Sequence, residues 1–159
     1  MNLYLDTSAL VKLYVREPGT TDLYRQVQAS QLSATSWLTY VEFVAALTRA
    51  TQFKSLSRRI AGRKLAQFQQ GWRNLIQVEV TLVVIARAAA LAWDHGLRDY
   101  DCLHLASALV WQETLAEPVI FATYDRELWA LAAKVGLPNF PPALIESGQL
   151  DSLRKCEAG

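Results

Sequence analysis

The feature that most restricts how this chain can fold is an alternation. Short runs with β-like composition are separated, again and again, by longer stretches with helical spacing. Strand-like runs fall at 2–6, 31–35, 76–80 and 119–123, with a short fifth at 137–140. Helical stretches fall at 8–15, 21–29, 57–72, 82–95, 100–112 and 126–134. A further helix is capped by Ser36 and carries Trp37, Val41, Val44 and Leu47 or Thr48 at helical spacing. Gly96 and Gly136 close two of these helices, as glycine does where a chain must turn left-handed. Strands joined through helices pair in parallel, with right-handed crossovers. The run Val119-Ile120-Phe121-Ala122 is apolar throughout, as a strand covered on both faces requires. The expected fold class is therefore α/β: a three-layer α/β/α sandwich with a central parallel sheet of four to five strands.

With 159 residues, 52% of them hydrophobic, the chain has material for one core. We expect a domain over residues 1–142 and a tail over 143–159, where periodicity fades. The nearly apolar run 80–93 is 14 residues long and contains Arg87. It is too short to span a bilayer and suits a buried helix. No basic stretch precedes an apolar run at the start, so no signal peptide is expected. The cysteines, Cys102 and Cys156, match no zinc spacing and make no disulfide framework. The expected location is the reducing cytoplasm.

The net charge of +1 conceals an asymmetry. Between Phe43 and Val78 there is no acidic residue and seven basic ones: Arg49, Lys54, Arg58, Arg59, Arg63, Lys64 and Arg73. That segment carries +7 and the remainder −6. One part could hold a polyanion and the other a cation. A solvated helix face explains the arginines equally well.

The acids are placed suggestively. An open parallel sheet binds ligands beyond the carboxyl ends of its strands. Asp6 closes the first strand and Asp125 follows the fourth, although helix capping accounts for either one alone. Glu42 is harder to explain as surface, being the one charge in Tyr40-Val41-Glu42-Phe43-Val44-Ala45-Ala46-Leu47. A buried carboxylate has to be paired, protonated or bound to metal. Asp99 and Asp101 flank Tyr100 at a helix start, where capping explains one of them more readily than both. His104 lies one turn after Asp101 and reads first as a hydrogen-bonded packing residue. Trp37, Trp93, Trp111 and Trp129 read as core or interface. Trp72 has a core reading and a lesser one as a base-stacking platform beside the basic helix. Cys102 reads as inert packing.

Four segments together resemble the PIN-domain family, and within it the VapC-like toxins of type II toxin–antitoxin pairs. They are Leu3-Tyr4-Leu5-Asp6-Thr7-Ser8-Ala9-Leu10, the helical Glu42, Tyr100-Asp101-Cys102-Leu103-His104-Leu105-Ala106-Ser107-Ala108, and Phe121-Ala122-Thr123-Tyr124-Asp125. The resemblance spans about residues 2–140. It implies that Asp6, Glu42, Asp101 and Asp125 form an acidic cluster that binds Mg²⁺ or Mn²⁺ and hydrolyses RNA phosphodiesters. Thr7, Ser8 and Thr123 fall at the family's hydroxyl positions, and Asp99 is either a fifth acid or a cap. The implied partners are an RNA substrate, a small antitoxin and a second copy of the chain. The basic residues 49–73 are then candidates for the RNA backbone or for a protein partner. The chemistry is coherent without the family, since hard divalent cations prefer carboxylate oxygens and can activate water. Alternatives from the residues alone are a metal-dependent DNA nuclease or phosphatase, or a non-catalytic binding module. Neither a dinucleotide fingerprint nor a Walker-type loop is present.

Overall fold

In the computed structural model, which describes residues 1–15 and 17–144, five strands form one sheet and seven helices cover it. The order is β1 (Asn2–Leu5), α1 (Thr7–Lys12), α2 (Thr20–Ala29), β2 (Leu32–Ser36), α3 (Leu38–Gln52), α4 (Arg58–Trp72), β3 (Ile76–Val78), α5 (Leu82–His95), α6 (Asp99–Leu115), β4 (Val119–Ala122), α7 (Arg126–Lys134) and β5 (Asn139–Phe140). Of the expected tail over 143–159, the part from residue 145 on, with Cys156, lies outside the described residues, as does Arg16.

All neighbouring strands are parallel, in the order β3-β2-β1-β4-β5. The chain builds outward from β1 to one side, then crosses back to add β4 on the other. That reversal puts a crevice beyond the carboxyl ends of β1 and β4, where such sheets place their ligand sites. Register sharpens the point. Leu5 pairs with Ala122, and Asp6 N–H donates to the Ala122 carbonyl at 3.1 Å, so the residues that follow each strand emerge side by side.

Alternation along β1 divides the core. Tyr4 faces a layer made by α5, α6 and α7, with Leu105, Phe121 and Leu128. Leu3 and Leu5 face the opposite layer, with Leu10, Leu23, Phe43 and Phe68. In that second layer Phe43 of α3 stacks on Phe68 of α4, ring centroids 4.0 Å apart.

This stacking corrects the expected face of α3. The buried positions are Thr39, Phe43 and Leu47, whereas Trp37 and Val41 are 50% and 66% exposed. The helix is apolar nearly all round, and aromatic packing, not the Trp37–Val41 stripe, orients it. Trp72 is buried in the same cluster, packing against Phe68 and Tyr40, so the base-stacking alternative falls. α5 has the expected bounds and its Gly96 cap at φ 67°. It is not the buried helix that its apolar run suggests. Only Val84, Ala88 and Leu91 are buried, while Leu82 and Trp93 are 83% and 90% exposed. One face meets α6, and among the described residues no layer covers the other. Among the described residues no helix is long and apolar enough to cross a membrane.

Candidate metal centre

Asp6 is the most constrained acid. It is the N-cap of α1, and its Oδ1 accepts from the Ala9 N–H and the Ser8 hydroxyl, each at 2.8 Å. Its Oδ2 accepts from the Thr123 hydroxyl at 2.7 Å and shares the Ser8 proton at 2.9 Å. Both hydroxyls are themselves oriented by the loop after β4. Tyr124 N–H donates to Ser8 Oγ at 2.8 Å, and Asp125 N–H to Thr123 Oγ1 at 3.1 Å. A hydroxyl that accepts a backbone N–H must aim its own proton elsewhere, here at Asp6. Burial pushes the Asp6 carboxyl up, against the pull of His104 and these donors.

Glu42 sits one turn into α3 and Thr7 at the start of α1, so the two reach each other across the mouth of the sheet. The Thr7 hydroxyl donates to Glu42 Oε2. His104 Nε2 lies 2.7 Å from the same oxygen and 3.1 Å from Thr7 Oγ1. The Tyr4 hydroxyl lies 3.2 Å from His104 Nδ1. Nε2–H donates to Glu42, and Nδ1 pairs with the Tyr4 hydroxyl. Burial would raise the Glu42 carboxyl, but the hydrogen bond and charge of His104, with Thr7 and Arg49, hold it below its ordinary value. His104 was legible as a packing residue; its hold on Glu42 was not.

Asp125 is the N-cap of α7, with Oδ1 accepting from Glu127 and Leu128 N–H at 2.9 and 3.0 Å. The capping explanation is thus correct for one oxygen. The other, Oδ2, lies 3.6 Å from Arg98 Nη2. Asp101 corrects the expectation that an acid caps the next helix. The N-cap of α6 is Arg98, which makes no side-chain capping bond, and Asp101 is the third helical residue. Its Oδ2 turns to Arg98 Nε, 3.3 Å away. Burial and the charge of Asp125 push the Asp101 carboxyl up, against Arg98 and His104, with Glu42 adding to the rise. The Asp99 side chain lies outside the description.

Asp6, Glu42, Asp101 and Asp125 therefore gather at one sheet edge, within electrostatic reach of their neighbours. They do not converge fully: among the described residues no three carboxylate, histidine or cysteine side chains form a ready ligand set. Hydroxyls, His104 and Arg98 hold the acids instead. The donor chemistry still fits a hard divalent cation, which takes one or two carboxylates and keeps several waters.

The basic residues lie on α3, on α4, in the turn between them and, for Arg73, at the C-cap of α4. Arg49, Lys54, Arg58, Arg59, Arg63 and Arg73 are exposed. Lys64 is not available in the same way, because its Nζ donates to the Tyr14 carbonyl.

A model of the PIN domain matches residues 3–134. The chain belongs to the PIN-domain family. Ribonuclease VapC45 and Ribonuclease VapC49, both of Mycobacterium tuberculosis, are each 32% identical to this PIN domain over 143 residues, covering 89% of this chain and 96% of theirs. Two solved structures share the fold. VapBC2 from Rickettsia felis, bound to a DNA fragment from its promoter, gives a TM-score of 0.63 at 14% identity, covering 88% of this chain and 99% of that one. A toxin–antitoxin complex from Klebsiella pneumoniae gives 0.60 at 16%, covering 90% and 99%.

Proposed function

We propose that this PIN domain is a divalent-metal-dependent endoribonuclease, the toxin of a type II toxin–antitoxin pair. The observation that carries the reading is the gathering of Asp6, Glu42, Asp101 and Asp125 at the β1–β4 crevice of a chain whose relatives are named ribonucleases. The catalytic unit is residues 1–142, with 143–159 as a tail. The four acids hold Mg²⁺, or Mn²⁺ in its place. When bound, the cation lowers the pKa of a water and offsets charge on the phosphoryl oxygens. Thr7, Ser8 and Thr123 aim the carboxylates, and His104 fixes Glu42 in its ionised form. Asp99, two positions before Asp101 in the sequence, is a supporting acid.

Arg49, Lys54, Arg58, Arg59, Arg63 and Arg73 offer the RNA backbone the cations that phosphates require. Lys64, bound to Tyr14, braces α4 against α1. The uncovered face of α5, with Leu82, Val83 and Trp93, supports pairing with a second copy of the chain. A small antitoxin is the inhibitory partner, a reading supported by the toxin–antitoxin complexes that share the fold. The protein works in the cytoplasm.

The test is cleavage of RNA by purified protein. Activity should require Mg²⁺ or Mn²⁺, stop on EDTA addition and vanish in Asp101→Asn. Undiminished cleavage in EDTA, absent from the mutant preparation, would overturn the mechanism.

A further inference from the structure

Arg98 is, among the described residues, the one cation in ion-pair contact with two carboxylates. Asp101 comes from α6 and Asp125 from the loop after β4, so only the tertiary fold brings them to one guanidinium. Which oxygens it touches is informative. Asp125 Oδ1 is committed to capping α7, and Arg98 lies beside Oδ2, the oxygen left over. Asp101 makes no capping bond, and Arg98 lies beside its Oδ2 as well. These are the oxygens that a cation could take without undoing a helix cap.

We propose that Arg98 is a built-in competitor for the metal: its guanidinium must leave Oδ2 of Asp101 and Asp125 before a divalent cation binds them. The inference rests on reading the four acids as a metal site. Arg98 is well suited to yield. Its side chain is 73% exposed, and ion pairs so open to water are weak. A compact divalent ion concentrates more charge on the same oxygens than a delocalised guanidinium does. Arg98 therefore sets a threshold of metal concentration and does not block the site. The other half of the centre is untouched by it, because Asp6 is held by hydroxyls and a backbone N–H, and Glu42 by Thr7 and His104.

The experiment measures Mn²⁺ binding to the full chain by the paramagnetic resonance of free Mn²⁺, with no RNA present. Wild type is compared with Arg98→Gln, Arg98→Lys and Asp101→Asn. Removing a competing ion pair should tighten Mn²⁺ binding about two- to five-fold in Arg98→Gln, the range that weak exposed pairs allow. Arg98→Lys retains the charge but lacks the flat fork that spans two carboxylates, so it should tighten binding about two-fold. Wild-type or weaker affinity in Arg98→Gln overturns the proposal. So does an Arg98→Lys protein that matches wild type while Arg98→Gln tightens, since that pattern reports charge alone. If wild type takes up no Mn²⁺, or Asp101→Asn binds it equally well, the metal-site reading itself fails and Arg98 with it.

Discussion

Replacing His104 tests how Glu42 is kept in place. His104 is 2% exposed, and its two ring nitrogens serve different partners: Nε2 lies 2.7 Å from Glu42 and Nδ1 lies 3.2 Å from the Tyr4 hydroxyl. In His104→Leu the hydrogen bond to the Glu42 carboxylate is lost, at about 1.5–3 kcal/mol for a charged acceptor. The Tyr4 hydroxyl, in a fully buried ring, also loses its partner, at about 1–3 kcal/mol. The neighbouring Ser36 and Ser107 hydroxyls can take up part of that second cost. Together these losses predict a destabilisation of about 3–5 kcal/mol. His104→Gln places an amide N–H near the position of Nε2 and should recover the Glu42 contact, leaving a cost of about 1–2 kcal/mol. A double-mutant cycle of His104→Leu with Glu42→Ala, read by urea unfolding at pH 7, should give a coupling of about 1–2 kcal/mol. The pH dependence has a definite sign. Glu42 is held below its ordinary value of 4.5, so its contribution is present above that value and disappears as the pH falls through the folded-state value. The coupling should shrink accordingly in acid. Equal stability of the Leu and Gln variants, or a coupling below about 0.3 kcal/mol, would refute the assignment of His104 as the residue that holds Glu42.

Asp6 should behave in the opposite sense. Its carboxyl is pushed above the ordinary 3.8 by burial, so its charge subtracts stability as the pH rises past that value. Asp6→Asn keeps an oxygen acceptor for the cap but turns an amide donor toward the Thr123 hydroxyl, so its Tm relative to wild type should be higher at pH 7 than at pH 3, by calorimetry; a relative Tm that falls from pH 3 to pH 7 would count against it. Replacing Arg58, Arg59 and Arg63 by Gln should weaken RNA binding and flatten its salt dependence by roughly 0.7 per lost phosphate contact. An unchanged slope would assign this face to a protein partner. Trp93→Glu should turn a dimer into a monomer by light scattering, and a monomeric wild type would remove α5 as the pairing surface.

How far the fold could be read before the structure depended on how local each signal was. The bounds of α5 and α7 follow from caps, from Thr81 and Gly96 for one and Asp125 with Gly136 downstream for the other, all within a turn of the helix they bound. The strands were visible as apolar runs between helices, and their parallel pairing followed from the crossovers. The faces of α3 and α5 were harder to read. A helix that is apolar nearly all round gives no direction in its own sequence, and Phe43 turned inward because Phe68, on the next helix, offered a ring to stack on. Val41 and Trp93 stayed outside because nothing among the described residues covers them. The site shows the same division. Asp6 and Asp125 could be placed because each follows a strand end, and the register of β1 on β4 brings both to one edge. Glu42 announced itself as a charge in an apolar helix, but its partner is 62 residues away on α6. Arg98 meets Asp125 only because the crossover into β4 returns the chain beside β1. Sequence patterns thus select the carboxylates that must be explained. The hydroxyls, imidazole and guanidinium that determine what those carboxylates do come from elements that only the packed sheet brings together.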